Sequence, residues 1–268
     1  FGNWTVNSGN TPKSTTAAST TVTITQNTTL TANASDKTAP TCNPISGGTS
    51  LKSTSQTLTA SCSDGVGVTG YYWSKDSTTA PTTSSTWSTG KTYSVTAAGT
   101  YRLWARDAAG NISSATSVTI VSYTINNLLE KVDGTTGTYT SANYASTSSS
   151  SYIVKSGTSL TLASLYAVPT GSSTSNFKGY STSFSTSAAS LSTTAPSASN
   201  TTYYMWFNRS TFTLTLKNGN TTAISSVSGA GTYKYGKTVN ISASVKTGYT
   251  FGNWTVNSGN TPKSTTAA

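Results

Sequence analysis

FGNWTVNSGNTPKSTTAA occupies residues 1–18, and the same eighteen letters return at 251–268. The offset is 251 − 1 = 250 residues. Eighteen identical residues do not recur by chance, so the stretch predicts a parent protein that repeats with this period. It also sets the phase of the fold. Trp254 and Val256 alternate as in a strand, and Gly259-Asn260-Thr261-Pro262 then turns. In the first copy the same letters lead into Thr21-Val22-Thr23-Ile24-Thr25 and Thr28-Thr29-Leu30-Thr31-Ala32, two more strand-like runs. Residues 211–268 therefore read as the front of a module, and residues 1–35 as the rear of its preceding copy. Phe1 and Trp4 mark the seam at one end, Phe251 and Trp254 at the other. The two pairs are expected in equivalent surroundings one period apart. Neighbouring copies are the expected partners, head to tail. In one arrangement residues 1–35 of one molecule complete residues 211–250 of another.

Composition sets the fold class. Ser and Thr account for 106 of the 268 residues. Such a fraction could belong to a disordered stalk, but there are only 7 prolines, and apolar residues alternate with Thr and Ser along many short runs. Thr suits the outward face of a pleated strand because its branched side chain packs there. The reading is a mostly β chain with several small cores. The net charge is +10, yet charged residues are 8% of the chain and no basic run exists. No nucleic-acid partner is expected from charges so scattered. No stretch approaches the ~20 apolar residues of a membrane span. No signal peptide or wall anchor is recognisable, and with Phe at position 1 the targeting signals are expected outside this stretch. Cys42 and Cys62 suit an oxidising exterior, where a disulfide is favoured over two free thiols. With no His and two Cys, no zinc site and no cofactor are expected.

Between the seams lie the remaining modules. Residues 36–123 open on Lys37-Thr38-Ala39-Pro40 and carry β runs at Gln56–Cys62, Val68–Ser74, Thr92–Val95, Gly99–Arg106 and Ser117–Tyr123. Asp107-Ala108-Ala109-Gly110-Asn111 makes the turn between the last two. Short strands at this spacing predict a sandwich. Thr38-Ala39-Pro40, Ser63-Asp64 before Gly67-Val68, and the run Tyr101–Asn111 together resemble the bacterial Ig-like domains of surface proteins. Immunoglobulin disulfides join two sheets at wide spacing. Here the cysteines are 20 residues apart and early, so they are expected to tie the first strand to the second.

Residues 124–210 and 211–268 look related to each other. Gly157-Thr158-Ser159-Leu160-Thr161-Leu162 matches Gly236-Lys237-Thr238-Val239-Asn240-Ile241. Phe177-Lys178-Gly179-Tyr180-Ser181 matches Phe251-Gly252-Asn253-Trp254-Thr255, and Asn200-Thr201-Thr202-Tyr203 matches Asn27-Thr28-Thr29-Leu30. The shared order is a strand after a glycine, an aromatic pair three apart, and a closing strand. Both stretches resemble the internalin B-repeat superfamily, the third module most closely through Tyr249–Trp254. That resemblance implies small β-grasp-like sheets. The expected architecture is an Ig-like sandwich and two B-repeat-like modules in series, elongated.

Residue types weigh against catalysis. Without His, Ser-His and Cys-His pairs are impossible. The six acids are Asp36, Asp64, Asp76, Asp107, Glu130 and Asp133. Glu130 and Asp133 are close in sequence but read as part of a surface loop, and no enzyme activity is expected. Asp64 and Asp107 sit among Gly and Asn; turn formation is the simpler reading, calcium the alternative. A Lys–Asn cross-link in the Ig-like module would need a buried acid, and only Asp64 or Asp107 could serve.

Period-two alternation along Tyr101–Arg106 places Arg102, Trp104 and Arg106 on one face. An outward Trp between two Arg is read as local cation–π stacking, with ligand or lateral contact as the alternative. Trp4, Trp254 and Trp206 read as core residues. The expected function is a structural repeat unit, a stalk or spacer, of an extracellular bacterial surface fibre or adhesin. The alternatives are a module binding host or environmental glycans or proteins and, third, an accessory region of a secreted carbohydrate-active enzyme.

Overall fold

Alternation of apolar side chains with Ser and Thr produces an almost wholly β chain. The computed structural model describes residues 1–266, with nineteen strands and one four-residue α-helix among them. Contacts divide the chain into two units that interleave along the sequence. The first comprises Phe1–Ser122, Tyr152–Thr158 and Ser197–Ser199. The second comprises Tyr123–Ser151, Ser159–Pro196 and the chain from Asn200 onward.

In the first unit, β1 (Asn3–Ser8) and β2 (Thr29–Asn33) form an antiparallel ladder, with Trp4 opposite Ala32 and Val6 opposite Leu30. There follow β3 (Thr41–Cys42), β4 (Ser46–Gly47), β5 (Gln56–Thr59), β6 (Cys62–Ser63), β7 (Val68–Lys75), β8 (Thr92–Val95), β9 (Gly99–Asp107) and the start of β10 (Thr116–Glu130). β4, β5 and β8 make one sheet; β7 and β9 pair with each other, and β9 with the first residues of β10. Side chains from both layers meet in one core. Leu58 and Val95 come from one side, Tyr71, Leu103, Ala105, Val118 and Ile120 from the other. Gln56 is buried in it with its amide satisfied: Nε2 donates to the carbonyls of Ile153 (2.6 Å) and Ser50 (2.7 Å).

The run expected at Ser117–Tyr123 continues to Glu130, so the position between residues 123 and 124 falls inside β10. Its burial pattern changes on the way. Val118 and Ile120 are buried in the first unit, whereas Tyr123 and Ile125, of opposite parity, are buried in the second.

The second unit adds β11 (Thr138–Tyr139), β12 (Tyr144–Lys155), α1 (Leu162–Leu165), β13 (Phe177–Ser181), β14 (Thr186–Ser187), β15 (Thr201–Phe207), β16 (Thr211–Leu214), β17 (Ile224–Ser228), β18 (Gly231–Lys234) and β19 (Ser242–Val245). β15 lies between two neighbours. Tyr123–Leu129 of β10 runs parallel to it, and β13 antiparallel. β12 pairs with β10. Leu128, Tyr139, Tyr144 and Trp206 are buried together. Trp206 meets Tyr139 and Tyr144 edge-on at 5.4 and 5.0 Å, the offset geometry aromatic quadrupoles favour. Its Nε1 donates to Ser181 Oγ at 2.8 Å. Beyond this, β16 pairs with β18, and β17 with β19, all antiparallel.

Several expected strand runs are not formed as read: Thr21–Thr25 takes no strand, and Trp254 and Val256 lie outside any strand. The run after Gly157 is not a strand either, and a short helix, α1, begins at Leu162 with Leu165 buried. The strand expected after Gly236 begins only at Ser242.

Candidate functional site

The second and third modules share a plan. β12 ends at Lys155, two residues before Gly157; β18 ends at Lys234, two before Gly236. β12 pairs with β10, β18 with β16. The aromatic strand β13 corresponds to Phe251–Thr255 by sequence, and β15 to the run that contains β2. In the second module β15 fills the position between β10 and β13. In the third, no strand lies between β16 and residues 253–256 among the described residues. A cleft of about 2030 Å³ opens there, lined by Phe212, Leu214, Leu216, Phe251, Trp254 and Val256. Phe212 is 62% exposed and Tyr249 50%. Among the described apolar residues from 211 onward, only Ala223 and Ala243 are buried.

The first sixteen of the repeated residues share local contacts. Phe1 and Trp4 lie 5.5 Å apart between ring centroids, as do Phe251 and Trp254. The Trp4 backbone N–H donates to the Thr15 carbonyl, and that of Trp254 to the Thr265 carbonyl, both at 2.7 Å. They differ in their surroundings: residues 3–8 form a ladder with β2, and residues 253–258 form none. Ala267 and Ala268, the last two letters of the second copy, lie outside the described residues.

Glu130 corrects the sequence reading. It was expected in a surface loop, but it is 1% exposed at the end of β10. Its Oε1 accepts from Lys234 Nζ (2.8 Å) and Thr136 Oγ1 (2.6 Å), and its Oε2 from the Arg209 backbone N–H (3.1 Å). Arg209 Nε donates to the Glu130 carbonyl at 2.6 Å, and its NH1 to the Tyr235 carbonyl at 3.0 Å. A buried carboxylate is tolerated when its lone pairs are this fully used. These bonds join the second module to the third. Asp133, by contrast, is exposed and paired with Lys237. That ion pair holds its carboxyl below the usual range. In the aromatic core, burial pushes the Tyr144 phenol well above its usual range, and its OH donates to Asn208 Oδ1 at 2.6 Å.

In the first unit, Asp36, Asp64 and Asp107 each bring a carboxylate oxygen within 4.8 Å of the other two. Each also closes a local turn. Asp36 Oδ1 accepts from the Thr38 N–H, Asp64 Oδ1 from Val66, and Asp107 Oδ1 from Asn111, all at 2.9 Å. Burial pushes the Asp107 carboxyl up, but hydrogen bonds from Asn111, Asp36 and the Gly110 backbone together hold it below its usual range. The Oδ2 atoms of Asp36 and Asp64 are buried without a hydrogen-bond partner. One carboxylate oxygen from each of the three acids is a ligand of the kind a hard divalent cation takes. Asp36 enters this group from a distant part of the chain, beyond the reach of sequence spacing.

The face carrying Arg102, Trp104 and Arg106 also differs from expectation. Trp104 is 3% exposed, not outward. The segment between β7 and β8 folds over it. Tyr72 meets Trp104 edge-on at 6.0 Å and Trp87 at 5.9 Å. Arg102 NH1 reaches the Ser77 carbonyl (3.0 Å) and Arg106 NH1 the Thr83 carbonyl (2.9 Å), pinning that segment down. The cation–π pair exists, but between Arg106 and Trp87, at 5.0 Å. Cys42 and Cys62 form a disulfide across the β3–β6 pair.

Residues 212–268 match a family described as a divergent InlB B-repeat domain. No curated protein and no solved structure matches the chain. The resemblance read from Tyr249–Trp254 thus extends across the third module: residues 212–268 are B-repeat-like, a repeat module of surface-protein type.

Proposed function

We propose that this chain is a structural repeat unit, a spacer within a long extracellular bacterial surface fibre or adhesin, and not an enzyme. The observation that carries this reading is the eighteen-residue identity at an offset of 250. It supports reading residues 1–35 and 211–268 as complementary parts of one kind of module. The B-repeat-like third module and the Cys42–Cys62 disulfide fit an oxidising, extracellular setting. No helix among the described residues is long and apolar enough to cross a membrane. A glycan-binding role loses its leading residue, since Trp104 is covered. Genetically joined concatemers of the 250-residue period test the spacer reading. Small-angle scattering should show the maximum dimension growing by a constant increment with each added period. Concatemers that collapse on themselves would reject it.

A further inference from the structure

β12 contains a stretch with no core beneath it. From Ala145 to Ser151 it reads Ala-Ser-Thr-Ser-Ser-Ser-Ser, and every residue of the stretch is exposed. On one side it pairs with β10. Several of its hydroxyls turn to that neighbour. Ser146 Oγ donates to Asn126 Oδ1 at 2.6 Å, Thr147 Oγ1 to the Asn127 carbonyl at 2.9 Å, and Asn127 Nδ2 to Ser148 Oγ at 2.9 Å. These bonds hold the strand against β10 in place of apolar packing. What the strand offers outward is its other edge of backbone N–H and C=O groups. Comparable edges are closed by the chain itself. Beyond β13, Tyr180 and Ser192 exchange backbone bonds of 2.8 and 2.9 Å; beyond β7, Tyr71 and Ser88 do so at 2.7 and 2.9 Å. At the end of β12 the Ile153 N–H donates to the Ser53 carbonyl and that of Lys155 to the Gly48 carbonyl. Among the described residues, no backbone bond from another segment reaches the outer edge of Ala145–Ser151. Exposed edges are normally kept from pairing by charged side chains or proline. Between Tyr144 and Val154 there is neither.

We propose that this open edge pairs with the same edge of a second copy of the chain, antiparallel about a two-fold axis. Two identical strands laid antiparallel are self-complementary, since each supplies the donors and acceptors the other needs. Small side chains on both faces let the two backbones approach. Each copy carries a net charge of +10, but none of it lies in the pairing stretch, so no like charges meet there. A charged peptide would find no counter-charge along this edge, which singles out another uncharged, Ser-rich strand as its partner. The contact goes beyond the spacer reading and does not rest on it. It lies within the second module and joins copies through a strand edge in mid-chain. Being isologous, it closes at two copies.

Sedimentation equilibrium on the full chain tests this. The native chain should pass from the mass of one copy to that of two as concentration rises, and stop there. The double variant Ser149→Lys, Ser150→Lys puts a charge on each face of the strand, so like charges meet across the axis. It should raise the dissociation constant of the pair by about tenfold. Both serines are exposed, and an unchanged far-UV spectrum and melting temperature check that the variant folds. Ser149→Thr, Ser150→Thr adds no charge and keeps β propensity, and should pair at least as well as the native chain. A native chain that stays single at every concentration would overturn the proposal. So would a mass that grows past two copies, or a lysine variant that pairs as the native chain does.

Discussion

Residues 1–16 and 251–266 carry the same letters and differ in what lies beside them. The first copy faces β2 and becomes a strand; the second faces an open cleft and does not. Yet the Phe–Trp contact and the Trp-to-Thr backbone bond are the same in both. Contacts within the stretch are therefore set by its own sequence, while strand character is conferred by a partner. This is the usual dependence of β structure on cross-strand neighbours, seen here with sequence held constant.

That contrast can be broken in several ways. The largest expected effect is at the tryptophans. Trp206 sits fully buried in the closed second module, and Trp206→Ala should cost about 3–5 kcal/mol in denaturant unfolding. Trp254 lines the open cleft, and Trp254→Ala should cost no more than about 1 kcal/mol. Equal losses would mean that the third module is as closed as the second. Reducing the disulfide should lower the stability of the first unit by ~3 kcal/mol, on the entropy of a loop of this length. The ladder of residues 3–8 should survive reduction, because the bridge lies outside it.

A subtler comparison uses hydrogen exchange. Backbone amides in β1 should exchange more slowly than the identical residues 253–258, and a filled cleft should abolish the difference. The smallest effect expected is at Asp133. Its carboxyl is lowered from 3.8 by the bond to Lys237. The stabilisation is therefore present above the unfolded value and fades as the pH falls through the lower folded one. Since the pair is exposed, added salt should weaken it. A melting temperature whose dependence on acid is unchanged in Lys237→Met would remove this pair from the account.

Much of the fold was legible because it is local. Thr92–Val95 is a strand with the predicted ends, Asp107–Asn111 turns, and Cys42 lies opposite Cys62 as their spacing implied. What failed was long-range. Trp104 is inward because a segment about twenty residues upstream folds across its face, and strand periodicity is silent about which face a loop will cover. Glu130 looked like a loop acid because its partners, Arg209 and Lys234, are 79 and 104 residues away. The Asp36–Asp64–Asp107 cluster was half visible, as two turn-forming acids without the third. The helix at Leu162–Leu165 gave no signal, since four residues are too few for a period to show.

The bridge between Cys42 and Cys62 has a mechanical side. If the chain is loaded along its length, the stretch between the two cysteines is held out of the line of force. Their separation of 20 residues, at ~3.3–3.6 Å per extended residue, corresponds to about 70 Å of hidden contour. An unravelled chain in oxidising surroundings would stop short by that amount. Reduction would release it as slack without the loss of any residue.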